Sequence, residues 1–470
     1  MTTTPIKIPV NVSRVQRRVL IVLSAAQTVS GVGVAVGVAL SSLVVNRLSG
    51  STVISGFAGT ATVLGAALLA LPTAQASGRG GRRAGLTLAY ASAFLGSVIA
   101  VVAIGLGSWQ LLLAGLVLMG GGSAGNLAAR YSATDLAPPG HAARHLSWVV
   151  WASTVGTVVG PNLVEPAKAV AEPLGLTGAA GPFALSALTF AVTALIINIG
   201  LRPDPFILAR RIAEPVTPAD RTDRADRLDR ADQTDRADQT DRADRSGRRG
   251  EDPAEVRSGG GAAGAAAPDR GRRTLRTAWE VLRDAPRARR ALVGIAISHT
   301  AMVSVMSMTP VHLDHGGASI SVIGIVISVH IAGMYVLSPV VGWLADRIGR
   351  LNVMLIGMGV LICAAVLAGS AGHHDVTQVG AGLLLLGVGW SCGLVSGSAM
   401  LTESVPIERR PAVQGLSDLL MNVCGATGTI VAGVVVGVAG YGVLGAAVAV
   451  AVGLFTVWIA VTSRRVAPAV

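Results

Sequence analysis

The sequence predicts an all-α integral membrane protein of twelve transmembrane helices, arranged as two pseudo-symmetric bundles of six. Three observations carry this. Of the 470 residues, 51% are hydrophobic and 14% charged, and the mean hydropathy is +0.61. Apolar runs of roughly 18 residues or more recur with almost no charge inside them, the length a helix needs to cross a bilayer. Finally, one register relates the two halves. Aligning "GGSAGNLAARYSATDLAP" (Gly121–Pro138) with "GWSCGLVSGSAMLTESVP" (Gly389–Pro406) pairs Asp135 with Glu403, and 403 − 135 = 268. The same offset pairs Gly81 of "GRGGRR" with Gly349 of "DRIGRL". One register through two separate loops marks a six-plus-six duplication, with glycines that let helices approach closely.

The spans are expected at about 19–45, 52–74, 84–106, 108–130, 147–167 and 181–201 in the first half. In the second half they fall at about 288–312, 319–341, 351–370, 377–401, 411–437 and 441–462. Residues 1–18 then form a cytoplasmic segment, 19–201 and 288–462 the two bundles, 202–287 a linker and 463–470 a tail. The basic residues sort to one side. Arg14, Arg17 and Arg18 precede the first span, Arg79, Arg82 and Arg83 follow the second, and Arg130 and Arg144 flank the loop after the fourth. Arg347, Arg350, Arg409, Arg410, Arg464 and Arg465 continue that side, which places both termini and the linker in the cytoplasm. A formal charge of +12 would suggest nucleic acid in a soluble protein, but these arginines read as topology determinants and no nucleic-acid partner is expected.

The linker contains "DRTDRADRLDRADQTDRADQTDRADR", of alternating charge and low complexity, and is expected to be a disordered tether. Its last part, "TLRTAWEVLRD" (274–284), has the pattern of an interfacial helix leading into the seventh span. Cys363, Cys392 and Cys424 stand singly in spans without CxxC spacing, which argues small apolar packing and no disulfide framework. The first apolar run is too long for a cleavable signal peptide.

"GWLADRIGR" (Gly342–Arg350) lies between the eighth and ninth spans and resembles the cytoplasmic-loop signature of the major facilitator superfamily, matching at Gly342, Leu344, Asp346, Arg347, Gly349 and Arg350. The resemblance implies two six-helix bundles that rock about a central site, with this loop latching them on the cytoplasmic face. Asp346 is suited to the positive end of a neighbouring helix, and the arginines to carboxylate partners. The equivalent first-half loop, "ASGRGGRR", has Gly78 in place of the aspartate, so a weaker latch is expected there. In the fifth span "GTVVGP" (Gly156, Gly160, Pro161) partly resembles a motif of superfamily antiporters, while Ser147, Val164 and Glu165 stand where further motif residues belong. Close packing with a proline bend is the reading given to it.

The seventh span carries His299, Met302 and Met306 on one helical face, and the eighth carries His330 and Met334. Thioether and imidazole are donors that favour copper. At 1.5 Å per residue, Met302 and His330 lie roughly 15 Å from the outer helix ends, so the groups are expected to form a ladder along the transport axis. MxxxM followed by HxxxM is similar to the paired motifs of CcoA-type copper importers in the same superfamily, which implies Met302, Met306, His330 and Met334 as the metal path. The plainer reading is filler, since Met354 and Met358 repeat the MxxxM spacing, and the first-half counterparts Gly31, Val34, Val38, Thr62 and Ala66 hold no soft donor. The outer "HLDH" (His312–His315) and "HHD" (His373–Asp375) are further candidates for collecting metal.

Asp418 is the candidate coupling carboxylate, with a helix-end pairing to Arg82 or Arg83 as the alternative; Gln414 and Asn422 stand beside it. The expectation is a monomeric secondary transporter in the cytoplasmic membrane and no enzyme. Its partners are a small solute or metal ion and the lipid bilayer; it has no cofactor, and copper is the substrate to test first. Proton-coupled efflux of a drug or metabolite, import of a riboflavin-like vitamin, and a non-transporting sensor using the linker are the alternatives.

Overall fold

The computed structural model describes residues 11–214 and 267–464, which are almost entirely helical. The first half comprises α1 (Val12–Ser49), α2 (Thr52–Gly105), α3 (Trp109–Met119), α4 (Gly121–Ser132), α5 (Ala142–Asn162), α6 (Val164–Ala171), α7 (Gly181–Gly200) and α8 (Pro205–Ala213). The second comprises α9 (Ala267–Asp284), α10 (Pro286–His315), α11 (Ile320–Tyr335), α12 (Ser338–Ile348), α13 (Arg350–Gly369), α14 (Val376–Glu403), α15 (Arg410–Ala439) and α16 (Tyr441–Arg464).

Among the described residues, ten helical segments are long and apolar enough to cross a membrane. One of them covers both the second and third spans. Its backbone leaves helical geometry at Gly81 (φ +81°, ψ +175°), which divides α2 into two crossings. With α5 the total is twelve, as the sequence predicts. Large apolar side chains such as Leu195, Ile199 and Leu454 face outward, as lipid contact requires. We call the side bearing Gly81, Gly349 and both described chain ends the basic face.

Local chemistry sets the helix breaks. Asn11 caps α1 by accepting from Arg14 N, and Asp204 caps α8 by accepting from Phe206 N and Ile207 N. The eighth span is α11 plus α12, interrupted ahead of Pro339, whose missing N–H leaves the Tyr335 carbonyl without its helical partner. Ser338 Oγ takes its place, donating to Tyr335 O at 2.6 Å. One boundary differs from expectation, and one expected helix is present. The linker expected over 202–287 carries helix at both ends, α8 and α9, and residues 215–266, including the charged repeat, lie outside the described residues. The interfacial segment is helical, burying Ala278, Val281 and Leu282 while Trp279 stays 70% exposed.

The halves meet through α2 against α15 and through α11 and α12 against α5. These two seams are equivalent under the 268-residue offset, and each uses one small residue. A Cβ on Gly342 would collide with Ser147, and a Cβ on Gly415 would collide with Ala74. The offset pairs Gly342 with Ala74 and Gly415 with Ser147, so the glycine has changed sides between the two copies. Within the first half, Gly31 and Gly156 bring α1 and α5 together: a Cβ on Gly156 would strike the Thr28 carbonyl and stand 2.8 Å from Val32 N.

Gly156→Ala is therefore expected to lower stability by about 1–3 kcal/mol, the usual cost of overpacking. Gly59→Ala, where nothing lies within 4 Å of the added methyl, should be neutral or slightly stabilising. Thermal melting of both variants in detergent checks this, and equal shifts would remove the close-approach argument.

Candidate functional site

A cavity of about 550 Å³ lies between the halves, walled by α1, α4 and α5 from one side and by α10, α11, α14 and α15 from the other. It reaches from Arg130, near the end of α4, to Pro161, near the opposite end of α5. The wall is largely apolar and aromatic, with Met302, Met334, Tyr335, Trp390 and Met421 on the second half's side. Gln27, Asn126, His299 and Asn422 add polarity, and Arg130 is the one formally charged wall residue among those described.

Below the cavity the basic face is shut by polar contacts between the halves. Arg130 Nη2 donates to Asp418 Oδ1 at 2.8 Å, with both side chains almost fully buried. Tyr131 OH donates to Ser417 Oγ at 3.1 Å. Arg82 binds Asp135 through Nε (2.7 Å) and Nη2 (3.0 Å), and Nη2 also reaches Gln414 Oε1 of the other half at 2.7 Å. Asp346 accepts from Ala143 N (3.2 Å) and Arg144 N (2.9 Å) at the amino end of α5. Arg350 then bridges Asp346 (2.9 Å) and Glu403 (2.7 Å). Asp346 at a helix amino end and Arg350 on carboxylates match the chemistry read from "GWLADRIGR", whereas Arg347, expected on a carboxylate as well, lies over the Trp343 ring at 5.1 Å. Gly349, with φ +98°, makes the turn that no other residue adopts without strain.

The first-half loop, where a weaker latch is expected, keeps one part of the latch and lacks the other. Arg82 and Asp135 are the counterparts of Arg350 and Glu403 under the same offset, so the ion pair is duplicated. What is lost is the helix-end contact. Gly78 faces Pro411, the counterpart of Ala143, and proline has no N–H for an aspartate to accept. The first-half pair compensates by being buried and by crossing to Gln414.

The predicted metal ladder is only partly assembled. His299, Met302 and Met334 line the cavity, while Met306 packs against the hydrophobic core of the second half. His330 is fully buried and turns to α14, its Nδ1–H donating to Leu383 O at 2.8 Å. A carbonyl only accepts, which fixes that tautomer. His299 is fixed in the other sense: Trp390 Nε1–H donates to its Nδ1 at 3.2 Å, so Nε2 carries the proton and no lone pair faces the cavity. Of the outer histidines, His312 stacks on Tyr441 (4.3 Å between centroids) and lies tilted to His373 (4.6 Å), which meets His315 edge-on at 6.5 Å. No cluster of three or more His, Cys, Asp or Glu among the described residues is placed to hold a metal.

Asp418 is buried within α15, and its partner is Arg130, not Arg82 or Arg83. Asn422 lines the cavity; Gln414 lies beneath it, bound to Arg82 and Thr402. Gly156 and Gly160 serve packing against α1, and Pro161 reaches the cavity wall. Sequence reasoning placed Arg130 only as a loop-flanking charge. Its position at the very end of an apolar run was the available signal, and it reads equally as topology or as site.

Comparison with known proteins decides the family. The model of the Major Facilitator Superfamily matches residues 19–318 and 291–470. The chain belongs to that superfamily. It is 30% identical over 439 residues to the uncharacterized MFS-type transporter YddS of Bacillus subtilis, covering 93% of this chain and 88% of the relative. It is 24% identical over 405 residues to the riboflavin transporter RfnT of Brucella anthropi, covering 86% and 85%. Among solved structures, the human organic anion transporter MFSD10 superposes with a TM-score of 0.64 at 16% identity over 94% of this chain and 98% of that one, a likeness of fold. This superfamily member is thus a multi-pass membrane transporter, and no name among the relatives above points to copper.

The two ion pairs differ in burial, which sets a test. Arg82→Met leaves Asp135, whose side chain is fully buried, without its cation, and should cost roughly 3–5 kcal/mol. Arg350→Met should cost less, nearer the roughly 0–1 kcal/mol of exposed pairs, because Glu403 is 39% exposed and Asp346 keeps two backbone donors. Melting temperatures of the two variants report the ranking; equal losses would contradict it.

Proposed function

We propose that this chain is a secondary active carrier that moves an organic solute across the cytoplasmic membrane by alternating access, with the basic face in the cytoplasm. One observation carries the reading: a cavity walled by both halves, with the cross-half polar contacts gathered on one side of it. In that orientation the structure is outward-facing. Rocking the halves breaks the contacts of Arg82, Arg130 and Asp346 and opens the same cavity inward. Asp418 is the proposed coupling carboxylate. When it takes up a proton it no longer holds Arg130 as an ion pair, so proton binding loosens the closed face.

An organic solute fits the wall better than a metal ion does. The cavity is of small-molecule size, and aromatic and apolar groups dominate it. The riboflavin transporter among the relatives is compatible with a flat organic substrate. Copper import is the second reading, favoured by three thioethers in the wall, Met302, Met334 and Met421. Against it stand the engaged lone pair of His299 and the position of His330 outside the cavity. Drug export loses its one sequence argument, since packing accounts for Gly156 and Gly160.

With Cys363, Cys392 and Cys424 replaced, a cysteine at Val38 should react with a membrane-impermeant maleimide in intact cells, and one at Ser13 should not. Asp418→Asn should lower labelling at position 38 by about twofold or more as the inward-open population grows. Labelling at position 13 would invert the topology, and unchanged labelling at 38 would remove Asp418 from the switch. Cellular copper should be the same with the parent chain and with the Met302→Leu, Met334→Leu variant. A methionine-dependent rise would restore copper as the substrate.

A further inference from the structure

Arg130 is 2% exposed and sits in the wall of the central cavity. Its Nη2 is fully used, reaching Asp418 at 2.8 Å, Tyr131 OH at 3.3 Å and Met421 S at 3.3 Å. Its Nε and Nη1 are buried and have no hydrogen-bond partner at all. A guanidinium presents its five N–H donors in a rigid plane, and donors left bare in a low-dielectric interior are costly. No carboxylate in the wall answers them, and Asp418 already faces Nη2. The nearby histidine does not redress the imbalance, because the hydrogen bond from Trp390 occupies the one lone pair of His299 and leaves it no acceptor to offer. The polar chemistry offered to a solute is therefore a cation and hydrogen-bond donors, beside the ring faces of Tyr335 and Trp390, which meet edge to face at 5.8 Å.

We infer that the transported solute is an organic anion, a carboxylate or similar oxyanion on a flat aromatic body, with the charged group on Arg130 and the ring system against Trp390 and Tyr335. This rests on the reading of the central cavity as the solute site. The arrangement also gives the charge a mechanical consequence. The guanidinium that receives the solute is the one that holds Asp418 across the halves, so a bound anion competes with Asp418 for a shared cation and weakens the bond that keeps the basic face closed. A cationic or neutral solute has no such leverage.

Fluorescein, an anion, and rhodamine 123, its cationic analogue on the same ring system, serve as probes. Their binding to the purified full-length protein in detergent is read by fluorescence anisotropy. Fluorescein is expected to bind about tenfold more tightly or better, the effect of one charge-assisted hydrogen bond. Combining Arg130→Gln with Asp418→Asn, which leaves no buried charge alone, should abolish the preference. Arg130→Lys, which keeps the charge but loses the planar donors, should weaken fluorescein several-fold and leave rhodamine 123 unchanged. Val38 is a cavity-wall residue 46% exposed, so Val38→Trp, which fills part of the open cavity, should weaken both dyes. Rhodamine binding as tight as fluorescein, or fluorescein binding indifferent to both Arg130 variants, overturns the anion inference while the cavity reading stands, provided Val38→Trp still acts. Binding indifferent to Val38→Trp, or no binding of either dye, overturns both.

Discussion

Arg130 and Asp418 meet 2.8 Å apart where the two halves touch, with almost no water to replace either partner. Taking one such charge out of water costs several kcal/mol, and the pair is tolerable only while both are present and close. That requirement organises the region. Tyr131 and Ser417 bond beside the pair, and Arg82 is matched by Asp135 in the same way closer to the basic face. Any movement that separates the halves must first supply a substitute partner, whether a proton, a solute or water. The polar contacts therefore do more than fasten the closed face: they specify what can open it.

The duplication explains the overall shape, and its imperfections explain the site. Gly81 and Gly349 turn the same loop, and Arg82–Asp135 repeats Arg350–Glu403. The glycine of the Gly342–Ser147 contact has moved to the other partner at Gly415–Ala74, so each seam keeps its clearance with a different residue. By contrast Arg130 and Asp418 correspond to Ser398 and Val150, and the wall residues His299, Met302 and Met334 to Gly31, Val34 and Ala66. The repeated residues build the frame, and the unrepeated ones line the central cavity or, in Asp418, pair with its wall.

Much of the frame was legible because it depends on local rules. Apolar runs, arginine sorting and a shared offset need no tertiary information, and the latch motif indicates the kind of partner Asp346 and Arg350 take, though not which residues. The cavity was harder to read for physical reasons. Helical spacing gives the relative direction of Met302 and Met306, or of His330 and Met334, but not the rotation of each helix about its axis. That rotation is set by close approaches such as Gly387 of α14 against the backbone at His330 and Met334. It turns His330 to Leu383 and leaves Met334 at the cavity. The partner of Asp418 was missed because Arg130 lies 288 residues away in the other half, a pairing that no periodicity reports.

The unequal seams of the basic face have a consequence for how the molecule senses its surroundings. At the α5–α12 seam Asp346 and Arg350 are partly wetted, and Glu403 more so, so mobile ions can enter and screen them within a Debye length of about 8 Å at physiological ionic strength. At the α2–α15 seam Arg82 and Asp135 are sealed from solvent, and dissolved salt cannot reach them. One edge of the closed face thus answers to the ionic composition of the solution, while the other is insulated from it. The protein carries an electrolyte-sensitive edge and a mute one in the same ring of contacts.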